Sequence, residues 1–179
     1  MEKQGLVIVH TGNGKGKTTA ALGLAIRAWG DGFKVKIFQF IKGGWKTGEM
    51  KTIEELGKIS EGRITLEQCG LGFTNSEKVT MEEHKAAAHE AYDKAMQVLK
   101  EHSCDLLILD EMNCAVHYDL ISKEEMFALL DARPQDMHLV MTGRDASPEA
   151  IERADLVTEM KLIKHPYDRG VPAQKGIEF

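Results

Sequence analysis

The sequence predicts an α/β fold built on a mostly parallel sheet of about six strands, folded as a single domain over residues 1–179. Three observations carry that prediction. Short continuous apolar runs alternate with stretches of helical period, a Gly-rich turn joins the first run to the first helix, and 179 residues is the size of one compact unit. Hydrophobic residues make up 42% and charged residues 28%, which suits a soluble globule and is too apolar for a disordered chain. A domain of this length buries roughly 70% of its unfolded surface, so it needs neither disulfides nor a structural metal to hold together.

The elements follow in order. Leu6-Val7-Ile8-Val9 is continuously apolar, as a strand covered on both faces must be. Thr18 to Trp29 is a helix whose Ala21, Leu22, Leu24, Ala25, Ala28 and Trp29 recur at helical period. Val35 to Phe40 is a second strand, and Lys42 to Met50 a loop entering a helix near residues 50 to 58. Ile64-Thr65-Leu66 is a short strand, followed by a loop at Gly70 to Phe73. Thr80-Met81-Glu82-Glu83 is a capping box that opens the longest helix, to about Glu101, with Ala88, Ala91, Tyr92, Ala95, Met96 and Leu99 as its inner stripe. Leu106 to Leu109 is the most apolar strand. Ser122-Lys123-Glu124-Glu125 is a second capping box, with a helix to about Ala132. His138 to Thr142 is a strand, Ser147-Pro148-Glu149 starts a short helix, and Leu156 to Ile163 closes the sheet. Connections of this kind are right-handed crossovers.

Charge and cysteine narrow the function classes. Lys and Arg number 23 against 28 Asp and Glu, a formal net charge of −5, which disfavours a nucleic-acid partner held on a broad basic face. Cys69, Cys104 and Cys114 are an odd count without a C-x-x-C pair, so reduced thiols in a cytoplasmic protein are expected. No apolar run approaches a membrane span, and no signal-peptide pattern opens the chain.

The chemistry concentrates in Thr11-Gly12-Asn13-Gly14-Lys15-Gly16-Lys17-Thr18-Thr19, between the first strand and the first helix. Glycines there let backbone N–H groups turn inward, and the helix N-terminus adds partial positive charge, so Gly12 to Thr19 are the candidate phosphate cradle. Lys17 would reach phosphate oxygens and the Thr18 hydroxyl would ligate Mg²⁺. The usual pattern is G-x-x-x-x-G-K-[ST]. Here only three residues separate Gly12 from Gly16, and Thr11 stands in the usual first-Gly place. A strand that ends in acid, Leu106 to Asp110 with Glu111 after it, completes such a site, because ligands of open α/β sheets bind at the carboxyl ends of strands. Asp110 and Glu111 are therefore metal candidates for a hard, oxygen-liking cation. Thr142-Gly143-Arg144 follows a strand at the same edge, where Arg144 would neutralise phosphate oxygens.

Such a loop specifies nucleotide binding, not a reaction. N-K-x-D, G-x-S-x-G and H-E-x-x-H are all absent. His84 and His89 are five apart on a helix and do not share a face, while the other histidines suit the surface or helix ends. From the residues alone, kinase, ATPase and nucleotide-gated binding protein stay open beside any other ATP- and Mg²⁺-using chemistry.

A resemblance adds to this. Gly12-Asn13-Gly14-Lys15-Gly16-Lys17-Thr18-Thr19, Gln39-Phe40-Ile41-Lys42-Gly43, Gly72-Phe73-Thr74, Leu109-Asp110-Glu111, Thr142-Gly143-Arg144 and Ala154-Asp155-Leu156-Val157-Thr158-Glu159 occur in order. So does the ending Lys164-His165-Pro166-Tyr167, Gly170, and Ala173 to Phe179. Together these blocks resemble the P-loop class of ATP:corrinoid adenosyltransferases. The resemblance implies a three-layer P-loop NTPase fold, RecA-like, and a homodimer. It implies an enzyme that transfers the 5′-deoxyadenosyl group of ATP to the Co(I) centre of a reduced corrinoid, releasing triphosphate, in adenosylcobalamin biosynthesis or salvage. ATP is the co-substrate, Mg²⁺ or Mn²⁺ the metal, and a flavoprotein or other electron donor reduces the cobalt.

The resemblance also implies that ATP lies reversed in its loop relative to ordinary NTPases. Co(I) is itself a strong nucleophile, so the protein's tasks are to aim C5′ at cobalt and to stabilise the leaving triphosphate. Lys17 and Arg144 suit the second task. Phe73 matches a family aromatic that faces the corrin, where it would exclude water and the lower axial ligand; Asn75 stands where some members have Trp. Trp45 either covers substrate or anchors its loop. Some members carry an N-terminal helical lid; with Met1 to Gly5 before the first strand, none is expected here.

Overall fold

The computed structural model describes residues 4–44, 46–72 and 79–178. In chain order its elements are β1 (Val7–Thr11), α1 (Lys17–Gly30), β2 (Val35–Gln39), α2 (Gly48–Lys58), β3 (Ile64–Gln68), α3 (Met81–Glu101) and β4 (Leu106–Asp110). There follow α4 (Met112–His117), α5 (Lys123–Ala132), β5 (His138–Thr142), α6 (Pro148–Arg153), β6 (Leu156–Glu159) and a 3-10 turn over Pro166–Arg169. The sheet has six strands in the order β3-β2-β4-β5-β1-β6, and every pairing is parallel.

Strand alternation divides the core into two layers. Leu106 and Ile108 of β4, Val140 of β5 and Ile8 of β1 face α1 and α2, where they meet Ala21, Leu22, Ala25, Ala28 and Ile53. Leu107, Leu109, Leu139, Met141, Val7 and Val9 point the other way, onto Ala88, Ala91, Ala95 and Leu99 of α3 and Met126 and Leu129 of α5. Side chains two apart share a face, so a run such as Leu106 to Leu109 must be apolar throughout to satisfy both layers. Leu107 is completely buried, and truncating such a side chain to Ala typically costs about 2–5 kcal/mol.

Both capping boxes form. Thr80 Oγ1 accepts from the Glu83 N–H, Ser122 Oγ from the Glu125 N–H, and each Glu carboxylate accepts from the cap residue's backbone. Differences from expectation have local causes. The strand expected to reach Ile163 stops at Glu159, because its partner β1 ends at Thr11: the Met160 N–H makes the last bond, to Thr11 O at 2.8 Å, and Met160 O then accepts from the Gly14 N–H of the loop. The short helix α4 was not expected; Glu111, at φ 63, turns the chain into it without a side-chain cap. His10 departs from a surface role: it is buried inside β1, and its Nδ1 has no hydrogen-bond partner. His84 is buried on α3 while His89 is exposed and contacts Glu125, so the two do lie on different faces.

Candidate active site

Each of the six strands ends on a polar residue: Thr11, Gln39, Gln68, Asp110, Thr142 and Glu159. An apolar run must lie within the core, so a polar last residue falls at the carboxyl rim of the sheet, where ligands of parallel sheets bind. The phosphate loop crosses this rim between β1 and α1. Gly12 (φ 92) and Gly16 (φ 108) take the left-handed backbone that the turn demands and that only glycine adopts without strain.

The N-terminus of α1 is unlike those of α3, α5 and α6. Those three are capped by Thr80, Ser122 and Ser147, whereas the cap position of α1 is Gly16, which offers no side-chain cap, and its first turn holds no acidic residue. Its leading N–H groups and the positive end of its dipole are therefore left for an anion. Lys17 is buried, and its ammonium donates to Gly12 O at 2.6 Å and Gly14 O at 2.8 Å, which holds it within the loop. Burial pushes its pKa down; Glu111 opposes that shift and Arg144 adds to it, so both lie within electrostatic reach.

The remaining loop residues are braced from the β6 side. The Gly14 N–H donates to Met160 O at 2.6 Å, so that amide is committed to the protein. A Cβ on Gly14 would lie 2.7 Å from Met160 O and 2.8 Å from Lys161 O. Lys15 turns to the C-terminal tail, where it pairs with the Glu178 carboxylate. A hollow of about 380 Å³ opens here, lined by Gly14, Lys15, Lys161, Leu162, Ile163 and Lys164 among others.

On the opposite side stands Asp110, only 1% exposed. Its Oδ1 accepts from the hydroxyls of Thr18 and Thr142, each at 2.7 Å, and its Oδ2 from Gln39 Nε2 at 2.9 Å. The Lys42 ammonium lies 3.1 Å from Oδ2 and 3.3 Å from Thr18 Oγ1. A carboxylate taken this far out of water is tolerable only when paired and fully hydrogen-bonded, as here. Of the three expected metal ligands, Thr18 and Asp110 are thus joined. Glu111 is turned aside: its carboxylate accepts from the Cys114 thiol at 2.9 Å, and its N–H donates to Thr142 Oγ1 at 3.0 Å. Burial, and next the negative charge of Glu111, push the Cys114 thiol up to about 12, so it stays a donor. The Arg144 N–H donates to Cys114 Sγ at 3.3 Å, which fixes the start of the exposed Arg144 at this edge. Gly143 (φ 133) packs there too; a Cβ would meet Cys114 N at 2.8 Å. Phe73, Asn75 and Trp45 lie outside the described residues.

These residues fit a Mg²⁺ ion. Magnesium uses one or two protein carboxylates plus phosphate oxygens and water, not a dedicated protein cage. Thr18 and Asp110 supply that kind of oxygen set, and Gln39 Oε1, buried beside them without a partner, is an acceptor suited to a metal-bound water. Among the described residues no group of three or more His, Cys, Asp or Glu forms a separate metal centre. Also among them, no helix is long and apolar enough to cross a membrane.

Gln39, Thr142 and Lys42 bind Asp110; they stand in the Gln39–Gly43 and Thr142–Arg144 blocks that carry the family resemblance, but sequence reasoning gave them no role at the site. The rule that would have found the first two is visible in the sequence, since each ends an apolar run with a polar residue. Lys42 stands three residues beyond β2 in a Gly-rich loop, and nothing local aims it at Asp110.

Comparison with known proteins completes the picture. Two solved structures share the fold. The flagellar accessory protein FlaH of Methanocaldococcus jannaschii has a TM-score of 0.59 at 12% identity, over 88% of this chain and 71% of that one. The KaiC-like protein PH0186 of Pyrococcus horikoshii OT3 has a TM-score of 0.55 at 18% identity, over 90% and 75%. At those identities the likeness is one of fold alone, and the fold is the P-loop NTPase, RecA-like type. Sequence relatives say more. The chain is 40% identical over 178 residues to the corrinoid adenosyltransferase of Escherichia coli (strain K12), covering 99% of this chain and 87% of its relative. It is 40% identical to that of Pseudomonas aeruginosa, over 99% and 85%, and 39% identical to that of Salmonella typhimurium, over 99% and 87%. A family model described as ATP:corrinoid adenosyltransferase BtuR/CobO/CobP matches residues 3–179. Because that match and these relatives run nearly the whole length of the chain, the protein belongs to the ATP:corrinoid adenosyltransferase family.

Proposed function

We propose that this protein transfers the 5′-deoxyadenosyl group of ATP to the Co(I) centre of a reduced corrinoid and releases triphosphate, in adenosylcobalamin biosynthesis or salvage. Family membership supports the reaction, and one geometric observation supports its place. The uncapped N-terminus of α1 carries Lys17 inside the loop, directly beside the Thr18–Asp110 pair.

In this reaction the cobalt electron pair forms the Co–C5′ bond, the C5′–O bond breaks, and its electrons leave on the triphosphate. The nucleophile brings its own electrons, so no side chain has to remove a proton. What remains is to fix the tail of ATP and stabilise charge that grows on the leaving oxygen. Fixed N–H groups and cations aimed at developing charge are the largest single source of rate acceleration, each donor worth about 10²–10³ in rate. The α1 N–H groups, Lys17 and Arg144 are those donors here, and Gly12, Asn13, Gly14, Lys15, Gly16, Lys17, Thr18 and Thr19 form the cradle. Mg²⁺, or Mn²⁺ in its place, would be held by Thr18 and Asp110 with Glu111 nearby, and would supply further neutralisation of the triphosphate. Since Gly14 spends its amide on Met160, this cradle offers fewer donors than a full-length loop, which suits a reversed nucleotide.

Phe73 belongs to the same reading as the residue that faces the corrin. Phe73→Ala should abolish corrinoid adenosylation while ATP affinity, followed by calorimetry, stays within about twofold; an unchanged rate removes Phe73 from the site. The enzyme would work in the cytoplasm as a homodimer, supplied with electrons by a flavoprotein or other donor. The exposed apolar edge at Leu156 and Val157, continued by Leu162 and Ile163, is a surface suited to the subunit contact.

Product analysis tests the reaction. Incubated with ATP, Mg²⁺ and a chemically reduced corrinoid, the protein should yield triphosphate and a light-sensitive cobalt–carbon bond. ADP with a phosphorylated acceptor, or ADP with free phosphate, would replace this reading by a kinase or an ATPase. Binding of ATP without turnover would leave a nucleotide-gated binding protein.

A further inference from the structure

Lys42 sits where the reaction would want a metal. Its ammonium contacts the same two groups that would ligate Mg²⁺, Asp110 at 3.1 Å and the Thr18 hydroxyl at 3.3 Å. It is the cation that an otherwise buried carboxylate requires. Thr142 and Gln39 donate to Asp110 as well, but they are neutral and cannot balance its charge. Lys17, the other ammonium of the site, is taken up by the carbonyls of Gly12 and Gly14.

We propose that Lys42 is a tethered counter-ion that fills the metal position between Thr18 and Asp110 in the nucleotide-free protein, so that a divalent ion enters only when a triphosphate draws the Lys42 ammonium away. This rests on reading Thr18 and Asp110 as the metal site. The physical reason is mutual exclusion. An ammonium and a dication that share a carboxylate and a hydroxyl repel strongly at a few ångströms in a site of low dielectric. Without nucleotide, a metal that expelled Lys42 would leave that ammonium with no anion to receive it. With a triphosphate in the loop, Lys42 exchanges one anionic partner for another, and its compact charge on a flexible four-carbon stem suits such a transfer. Its side chain is 16% exposed, against 1% for Asp110, so the ammonium is not sealed in with the carboxylate. Gly43 and Gly44 follow it, the latter at φ 67. Metal and nucleotide binding then become cooperative, and the empty site does not collect free Mg²⁺ or Mn²⁺.

The test uses Mn²⁺ as the probe, with bound ion counted by electron paramagnetic resonance in the presence and absence of ATP. Wild-type protein should bind Mn²⁺ weakly without ATP and at least tenfold more tightly with it. Lys42→Met should raise nucleotide-free Mn²⁺ affinity at least tenfold and weaken Mn²⁺·ATP binding about tenfold, while Lys42→Arg, which keeps the charge, should exclude the ion as wild type does. Lys42→Gln serves the same purpose should the Met variant not fold. In either neutral variant Mn²⁺ alone should raise the melting temperature, as it should not in wild type. Equal nucleotide-free Mn²⁺ affinity in wild type and neutral variants would overturn the proposal while leaving the metal site standing, provided Asp110→Asn abolishes Mn²⁺·ATP binding. If Asp110→Asn leaves Mn²⁺·ATP binding intact, the metal reading falls and the role of Lys42 with it.

Discussion

The phosphate loop has two flanks, and they are built on different principles. Towards β4 it meets a buried charge: Asp110 accepts from Thr18, Thr142 and Gln39 and pairs with Lys42, all within 3.1 Å. Towards β6 it meets backbone. Met160 accepts from the Gly14 N–H, β6 itself is exposed along all four residues, and among the described residues the ion pair there joins Lys15, 57% exposed, to Glu178, 14% exposed. Charges withdrawn from water interact strongly and are costly to unpair, whereas exposed pairs are worth little. The β4 flank should therefore answer to side-chain chemistry and the β6 flank to shape.

The largest expected effect breaks the β4 flank. Asp110→Ala should lower unfolding free energy in urea by about 3–5 kcal/mol, because the buried donors of Thr142 and Gln39 lose their acceptor, at about 1–3 kcal/mol each, and Lys42 loses its counter-charge. Glu159→Ala, at the exposed rim of β6, should stay within about 0.5 kcal/mol. Equal losses for the two would erase the contrast. On the β6 flank the disruptive change is steric. Gly14→Ala sets a methyl 2.7 Å from Met160 O, and by the same assay should cost about 1–3 kcal/mol along with most ATP affinity. Normal ATP binding by that variant would mean that the brace is not needed.

A smaller effect lies on β1, which pairs with β5 on one side and β6 on the other. Burial holds the His10 imidazole below its ordinary value of about 6.5. As pH falls below that value the unfolded chain takes up the proton first. Stability is then complete above about pH 6.5 and is lost towards the lowered native value, by up to about 1.4 kcal/mol per pH unit. His10→Asn should flatten that slope in urea titrations run from pH 7 downwards; an unaltered slope would place the dependence elsewhere. Apart from the Glu159→Ala reference, the smallest effect is Lys15→Ala, which should change stability by less than about 1 kcal/mol in the same urea assay, an amount further reduced by salt.

How much of this was legible in the sequence follows the same division. Strands and helices were plain, because Leu106 to Leu109 has to serve two apolar layers and Thr80 and Ser122 announce their helices with a glutamate three residues on. The loop, Thr18 and Asp110 could be read for the same reason: each depends on local spacing. Lys42, Gln39 and Thr142 meet Asp110 only because β2, β4 and β5 are neighbours in the sheet, and strand order is a non-local property. The early end of β6 was hidden likewise. Met160 leaves the sheet to serve a glycine more than a hundred residues earlier, while Leu162 and Ile163 keep an apolar look in solvent.

The central claim concerns which bond of ATP is broken at this loop. ATP carrying heavy oxygen at the bridge between C5′ and the α-phosphorus, turned over with a reduced corrinoid and analysed by mass spectrometry, answers it directly. The heavy atom should leave entirely with triphosphate while the adenosyl group reaches cobalt without it. Recovery of the heavy atom in a nucleotide or nucleoside product would show attack at phosphorus and contradict the account.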